Sequence, residues 1–547
     1  MKMKWPFCTL CFVSVAITAM AQSLDPIEYP AQSCTSIMVG RLASTDGSVM
    51  TSHTCDGRYR TWAYMEPAAD HAKGDLHDVC WGTMHTAFHG DTTGVRLKGQ
   101  IPQVPHTYAY LNVGYPCLNE KQLAIGETTF GGPDTLCNKN GLFTIEELER
   151  VALERCDNAR DAIRLIGALI RKFGYGDTGE CITIADPQEV WQMEILGEGP
   201  EKIGGIWVAQ RVPDDHVGVS ANIPRIGKIN RKEKDYFMAS DNVEKVALRY
   251  GFWDGQGDFS FWRAFHDSYG DGHNFSDREY FILNALAPSL GLTRDMDELP
   301  FSVRPDSLVN VQRVMELFRS TFEGTFMDMC QNVRTTVNRK NGDGTSRTDT
   351  IVSPIANPWL TTTMRNTINT ISNRPVEYRR TVAVAWCAYS HITQLRGWLP
   401  DAVGGVCWLS LDNPGQSPRV PVFSGTTRLP KAYDRCGQHG YDADCALWQF
   451  RRANKLATVA WQQTKEQLIG EVLAVESSSL AGLPALENEV QTVLAAADGS
   501  KDVAVIADAN DRTASLLNAY TARVYNDAVS RWLALEASFW HRFGLGF

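Results

Sequence analysis

The segment 33–56, SCTSIMVGRLASTDGSVMTSHTCD, has the sequence pattern of two strands joined by a turn. Its first part, Ser36 to Gly40, is a short apolar run of the kind that forms a β-strand. Residues 45–47, Thr-Asp-Gly, are a turn signal, and residues 48–54 can return as a second strand. The segment therefore predicts a β-hairpin that opens at Cys34.

The N-terminus has the three parts of a secretory signal. Lys2 and Lys4 supply positive charge, residues 7–20 are apolar, and residues 19–21, Ala-Met-Ala, form a small-x-small cleavage site. The apolar run is short for a membrane span, and no later segment reads as long and apolar enough to be one. We therefore predict an exported protein, periplasmic or secreted, that loses residues 1–21; an uncleaved anchor is the alternative.

A short polar piece, Gln22 to Ser33, follows the signal and contains two prolines, as expected for a linker or a pro-segment. A chain of 547 residues is long enough for more than one domain. The pattern becomes helical after about Lys431. We therefore predict a main domain over residues 34–430 and a helical region over residues 431–547.

Charge and cysteine content restrict the function class. The formal net charge is -10 and no long basic run offsets it, which disfavours a nucleic-acid binder. Export would permit disulfides among the cysteines that remain after signal removal. Cys436 and Cys445 are close enough in sequence to pair across a loop, although spacing alone does not fix connectivity.

Strand and helix signals together predict a mixed α and β core. Thr144 and Glu147 have the spacing of a capping box, helical periodicity follows them, and Gly174 is a stop signal. Strand candidates lie on both sides of this helical region, at 106–113, 122–128, 181–186, 190–196, 206–211 and 217–221. A second strand set is predicted within 381–422, and 338–350 is predicted to be a polar loop.

Cys34 is the candidate for chemistry. Cleavage between Ser33 and Cys34 would give one residue both a thiol and a free α-amine. Such an amine titrates at about 7.7–8.0, so it can take up and return a proton near neutral pH. An N-terminal nucleophile that uses its own amine as base is an established activation scheme. The alternative is that Cys34 is a small buried hydrophobe in a strand.

The order Cys-Thr (34–35), Val-Gly (39–40), Asp-Gly-Ser (46–48) and Asp56 resembles the mature start of the C69 family of dipeptidases. These are relatives of the secernins within the N-terminal-nucleophile hydrolases, which also include penicillin V acylase and bile salt hydrolase. Further blocks that resemble the family lie at 118–132, 143–174, 182–197, 207–226 and 389–408.

The resemblance implies an α+β fold, a four-layer αββα sandwich with Cys34 on a central strand and a helical C-terminal extension. Cys34 would be the nucleophile and, through its amine, the base. Asp56 would hydrogen-bond the amine or thiol, the alternative being an exposed turn aspartate. Asn222 would aim its side-chain amide at the tetrahedral oxyanion, the alternative being an asparagine that ends a strand in a turn.

The sequence also departs from the pattern of the family. His53 stands where relatives carry an arginine that supports the thiolate. Residues 127–129, Glu-Thr-Thr, replace an asparagine of the acylases, so a threonine hydroxyl, with Thr128 as the candidate, or a backbone N–H would substitute. Arg380 and Arg396 both remain candidates for the late arginine of the group.

We assign His53, Glu127, Thr128 and Arg225 to substrate binding. The carboxylate of Glu127 would suit the α-ammonium group of a substrate, or it is a structural acid. The guanidinium of Arg225 would suit a C-terminal carboxylate, or it makes a surface ion pair.

The function predicted from these features is an exported cysteine dipeptidase that acts on small peptides. It needs no metal and no organic cofactor, and a homo-oligomer is one arrangement that the sequence leaves open. One alternative keeps the fold and hydrolyses N-acyl amino acids or similar amides. The other is a non-catalytic exported binding protein.

Overall fold

The structure is a computed structural model that describes residues 33–266 and 274–546. The predicted signal, its cleavage site and the predicted pro-segment up to residue 32 lie outside the described residues. Ser33, the last residue of that segment, lies inside them.

The chain contains both helices and strands, as the mixed pattern predicts. The strands are β1 (Ser36–Val39), β2 (Val49–Asp56), β3 (Tyr64–Glu66), β4 (Ala69–Asp70), β5 (Leu76–Trp81), β6 (Arg96–Pro102), β7 (His106–Thr107), β8 (Tyr110–Asn112), β9 (Leu118–Asn119), β10 (Ala124–Gly131), β11 (Gly179–Ala185), β12 (Val190–Gly197), β13 (Gly205–Val212), β14 (Val217–Ser220), β15 (Phe237–Ala239), β16 (Ser302–Val303), β17 (Arg334–Lys340), β18 (Ser346–Val352), β19 (Cys387–Leu395), β20 (Gly405–Leu411) and β21 (Val420–Phe423). The helices are α1 (Ile145–Arg155), α2 (Ala159–Phe173), α3 (Val243–Tyr250), α4 (Phe261–Phe265), α5 (Asp277–Leu286), α6 (Val311–Phe318), α7 (Thr362–Ile371), α8 (Asp401–Gly404), α9 (Ala446–Val459), α10 (Trp461–Ala495) and α11 (Val503–Phe543).

Two large sheets form the centre of the fold. The first sheet has the order β16-β14-β1-β2-β19-β20-β21, and the second has the order β15-β13-β12-β11-β10-β9-β8-β3. The predicted hairpin is confirmed, because β1 and β2 pair antiparallel with Val39 opposite Met50. The mixed α+β class is confirmed as well.

The two sheets face each other, with β2 of the first in contact with β10 and β11 of the second. All eight residues of β2 are buried, which explains why its sequence lacks a polar alternation. Polar contacts cross the interface, since the Thr51 hydroxyl oxygen lies 2.6 Å from that of Thr183. A Cβ at Gly126 would lie 2.3 Å from the Ser52 carbonyl oxygen, so only glycine allows the two strands to approach this closely.

Helices pack against both sheets. α2 contacts β11, β12 and β13 of the second sheet, while α9 contacts β20 and α11 contacts β21 of the first. Helix α10 packs against α9, α11 and β21. By length and composition alone α10 could cross a membrane, so the prediction that no later segment reaches that size and apolarity is wrong.

Two local predictions are wrong. The polar segment 338–350 is no loop, because it lies mostly within a hairpin of β17 and β18. The Thr144 side chain makes no capping bond within the described residues, and Glu147 instead accepts from the Cys80 N–H and from Arg150.

The twelve described cysteines, including Cys436 and Cys445, are all free. The disulfide considered for that pair is therefore not formed here.

Gly126→Ala tests the close approach of the sheets. A methyl group at this position must push β2 and β10 apart, and overpacking of this kind costs about 1–3 kcal/mol. The measurement is the free energy of unfolding in urea. Gly342→Ala is the control, because its Cβ would meet nothing within 4 Å. Equal stability of the two variants would contradict the packing described here.

Candidate active site

Cys34 lies directly before β1 and is only 3% exposed. Its backbone N–H donates to Asn222 Oδ1 at 3.0 Å, and its carbonyl oxygen accepts from the Arg278 guanidinium. The same guanidinium donates to the Thr35 hydroxyl at 2.9 Å. Position and orientation of the Cys34 backbone are therefore fixed by side chains that come from distant parts of the chain.

Hydrogen bonds also fix Ser33, the residue on the other side of the Ser33–Cys34 peptide bond. The Ser33 N–H donates to the Asp56 carbonyl at 3.2 Å, and the Ser33 hydroxyl accepts from Arg380 Nε at 2.8 Å. Ser33 is buried. The Ser33–Cys34 peptide bond thus has hydrogen-bond partners on both residues.

The thiol of Cys34 lies beside a carboxylate, with 3.4 Å between Sγ and Glu127 Oε2. Burial raises the pKa of this thiol well above its ordinary value of 9.0, and the nearby charges of Glu127, Cys55 and Asp56 raise it further. A backbone hydrogen bond from Asp56 acts in the opposite direction. In the uncleaved chain the group is therefore a neutral thiol near neutral pH.

Asn222 follows β14 and has the left-handed φ of 67°, which asparagine tolerates better than most residues. Its Oδ1 accepts from Cys34 N–H and, at 2.8 Å, from Arg278. Its Nδ2 donates to the Thr129 carbonyl at 2.5 Å. Since two donors face one end and an acceptor faces the other, the amide orientation is determined; Nδ2 keeps a second hydrogen, and its donation to an oxyanion stays a prediction.

Asp56 ends β2 and is fully buried, so it is not the exposed turn residue considered as the alternative. Its carboxylate accepts from the Thr54 hydroxyl at 2.8 Å and from Arg380 at 2.5 Å. Arg380 therefore lies beside the Ser33–Cys34 bond. The guanidinium of Arg396 instead binds Glu487 and the carbonyls of the segment at α8, so it is remote from these partners.

His53 and Glu127 lie together next to Cys34. The His53 Nδ1 is 2.6 Å from the Glu127 carbonyl oxygen and 3.3 Å from the Glu127 backbone nitrogen, and the shorter contact favours a proton on Nδ1. Burial lowers the pKa of His53 below its ordinary value of 6.5 despite the nearby carboxylate of Glu127. His53 is therefore a neutral imidazole and does not replace the positive charge of an arginine.

Thr128 and Arg225 do not contact Cys34. The Thr128 hydroxyl is 2.5 Å from the hydroxyl of Ser220. The Arg225 guanidinium is buried and donates to the Leu299 carbonyl at 2.6 Å, with Glu279 at 3.6 Å. The surface ion pair considered for Arg225 is wrong, and its fork is occupied by protein groups.

Sequence reasoning missed Arg278, which contacts both Cys34 and Asn222. It lies in the first turn of α5, whose start at Ser276 and Glu279 is a complete capping box. A positive charge at this end of a helix opposes the helix dipole. An arginine directly inside a capping box is thus unusual, but this local feature does not name the acceptor that compensates it.

Glu180 was missed as well. It is buried opposite Thr129 on β11, and burial together with the charge of Glu127 raises its pKa well above 4.5. A second acid, the neutral side chain of Glu180, thus lies near Glu127. The thiol of Cys34, the imidazole of His53 and the carboxylate of Glu127 each offer an atom within 4.8 Å of the others, close enough to hold a metal ion.

The site thus has a buried thiol beside a carboxylate, just before strand β1 of the first antiparallel sheet, in an α+β protein. The model of peptidase family C69 matches residues 33–472. The chain therefore belongs to peptidase family C69, which confirms the resemblance drawn from the sequence.

Curated relatives match most of the chain. A protein of Latilactobacillus sakei named "Probable dipeptidase" is 24% identical over 499 residues, which cover 86% of this chain and 93% of the relative. "Probable dipeptidase B" of Streptococcus pyogenes serotype M1 is 24% identical and covers 84% of this chain and 85% of its own. "Probable dipeptidase" of Salmonella dublin is also 24% identical, over 77% of this chain and 90% of its own.

Arg380→Met should strongly destabilise the full chain. The substitution leaves the buried carboxylate of Asp56 without its charge partner, which costs about 3–5 kcal/mol. The double variant with Asp56→Asn should recover part of this loss, because it removes the uncompensated charge. Urea unfolding measures both, with Arg231→Met at a partly exposed ion pair as the control. A single variant as stable as the control would contradict the pairing.

The uncleaved chain should react slowly with iodoacetamide at Cys34. Its thiol pKa lies well above 9.0, so the thiolate fraction is small at pH 7.5. This fraction rises only as the pH approaches the raised pKa of the thiol. We expect alkylation roughly 100-fold slower than in a chain that begins at Cys34, since there the charged α-amine favours the thiolate. Peptide mass spectrometry measures both rates, with Cys80 as the internal reference; equal rates at Cys34 would contradict this pKa.

Proposed function

We propose that this protein is an exported cysteine dipeptidase whose nucleophile is Cys34. The observation that carries the proposal is that both reactive atoms of Cys34 are held, the nitrogen by Asn222 and the sulfur by Glu127. Membership of peptidase family C69 and the names of the curated relatives support peptide-bond hydrolysis.

The proposed mature chain begins at Cys34, after loss of residues 1–21 and of the pro-segment 22–33. As long as Ser33 acylates it, the Cys34 nitrogen is an amide and cannot act as a base. Removal of the segment creates an amine with a pKa of about 7.7–8.0. We propose the four-layer αββα sandwich for residues 34–430, with residues 431–547 as its helical extension.

The reaction proceeds in two stages. The α-amine takes the thiol proton, the thiolate attacks the carbonyl carbon of the peptide bond, and the resulting ammonium group returns the proton to the leaving nitrogen. The amine product departs and leaves a thioester on Cys34. Water, deprotonated by the same amine, then attacks the thioester and restores the thiol.

The neighbouring residues position these groups. Asn222 Oδ1 accepts from the α-nitrogen, while its Nδ2 donates one hydrogen to the Thr129 carbonyl and has a second one for the oxyanion, the role that the resemblance implies. Arg278 holds the Cys34 carbonyl and the Asn222 amide together. The carboxylate of Glu127 offers negative charge for the α-ammonium group of a dipeptide. Its neighbour Glu180 is the neutral acid described above.

Replacement of Cys34 tests the proposal. The Cys34→Ala variant of the mature chain should lose at least about 10³-fold in kcat/KM on dipeptides, while Cys80→Ser keeps wild-type activity. Hydrolysis that survives unchanged in Cys34→Ala would contradict the nucleophile.

The same dipeptides with an acetylated N-terminus test the substrate class. We expect cleavage only with the free amino group, because the proposed acidic site at Glu127 favours a cation. Cleavage of the acetylated forms alone would instead show the N-acyl amide hydrolase.

A further inference from the structure

We propose that Cys117, His391 and Cys407 form a zinc site that links the two sheets. Cys117 directly precedes β9 of the second sheet, whereas His391 and Cys407 lie on the adjacent strands β19 and β20 of the first. All three side chains are fully buried. Their ligand atoms lie within 4.8 Å of one another.

The register of the strands explains why the residues meet. On β19 and β20, Cys407 lies opposite Thr393, so His391 is its diagonal neighbour on the same face of the sheet. β9 contacts β20 across the interface, which brings Cys117 onto this face. The site therefore takes ligands from both sheets.

His391 is the observation that requires an explanation. Neither of its ring nitrogens has a hydrogen-bond partner among the described residues, although the side chain is fully buried. Buried polar atoms are almost always satisfied, and an imidazole without partners in a core costs about 1–3 kcal/mol. A metal ion on one nitrogen would satisfy it, and neutral imidazole is a common metal ligand.

The distance between the two thiols fits a shared zinc ion. Their sulfur atoms are 3.8 Å apart, too far for a disulfide, whose S–S bond is about 2.05 Å. Two sulfurs bound to zinc at about 2.3 Å with a tetrahedral angle would be about 3.8 Å apart. The thiols thus need little movement to bind the ion.

Charge balance selects zinc over a monovalent soft ion. Binding releases one proton from each thiol, and two thiolates with one neutral imidazole then cancel the charge of Zn²⁺. Cu⁺ would leave a net negative charge in a fully buried site, which is unfavourable in a low dielectric. A water would complete the usual four ligands. The ion takes no part in the proposed reaction at Cys34.

Metal analysis of the full chain tests this site. Protein produced with zinc present and then dialysed should retain about one zinc per chain by mass spectrometry of the elements. Cys117→Ser and Cys407→Ser should each lower this content at least about fivefold. Cys80→Ser and Cys34→Ala should leave the zinc content unchanged. Cys34→Ala is the stricter control, because it disrupts the other group that could hold a metal, around Cys34.

X-ray absorption at the zinc edge of the unaltered protein decides the question even if a cysteine variant fails to fold. We expect two sulfur ligands near 2.3 Å and at least one nitrogen near 2.0–2.1 Å. Three results would overturn the proposal: less than a tenth of a zinc per chain, loss of zinc in Cys34→Ala alone, or a Cys117–Cys407 disulfide in the peptide map.

Discussion

The hydrogen bond from the Cys34 N–H to Asn222 Oδ1 is the contact on which the site depends. It joins the start of β1 to the end of β14, two paired strands whose register places these residues side by side. Arg278 reinforces it by binding both the Cys34 carbonyl and Asn222 Oδ1. A nucleophile held by its backbone loses little freedom when a substrate arrives, which is the condition for efficient attack.

Burial sets the electrostatics around this bond. Burial lowers the pKa of His53, so its neutral imidazole is a weak base, and Arg380 is the charge partner of Asp56. The thiol itself is kept protonated by burial and by Glu127. A new amine on Cys34 would change this balance, because it adds a group that accepts protons at about pH 7.7–8.0 where only an amide stood before.

Local patterns and long-range contacts differ in how far sequence predicts them. The hairpin from Cys34 and the helix stop at Gly174 follow from turn chemistry and periodicity, and both occur in the structure. Arg278 could not be found this way, because its bond to Cys34 spans 244 residues and no local signal names the partner.

Similar limits apply elsewhere. The polar composition of 338–350 indicates a loop, but polar residues also form an exposed hairpin, because neither face of such a hairpin needs an apolar pattern. The choice between Arg380 and Arg396 likewise required the fold, since both are buried arginines near strands and only their partners distinguish them.

We propose that Cys34 becomes the first residue of the active protein. Intact-mass and N-terminal peptide analysis of purified, active material is the direct test of this start. We expect a chain that begins at Cys34, with activity proportional to the fraction of such chains. Full activity in material whose chains all begin upstream of Cys34 would contradict it.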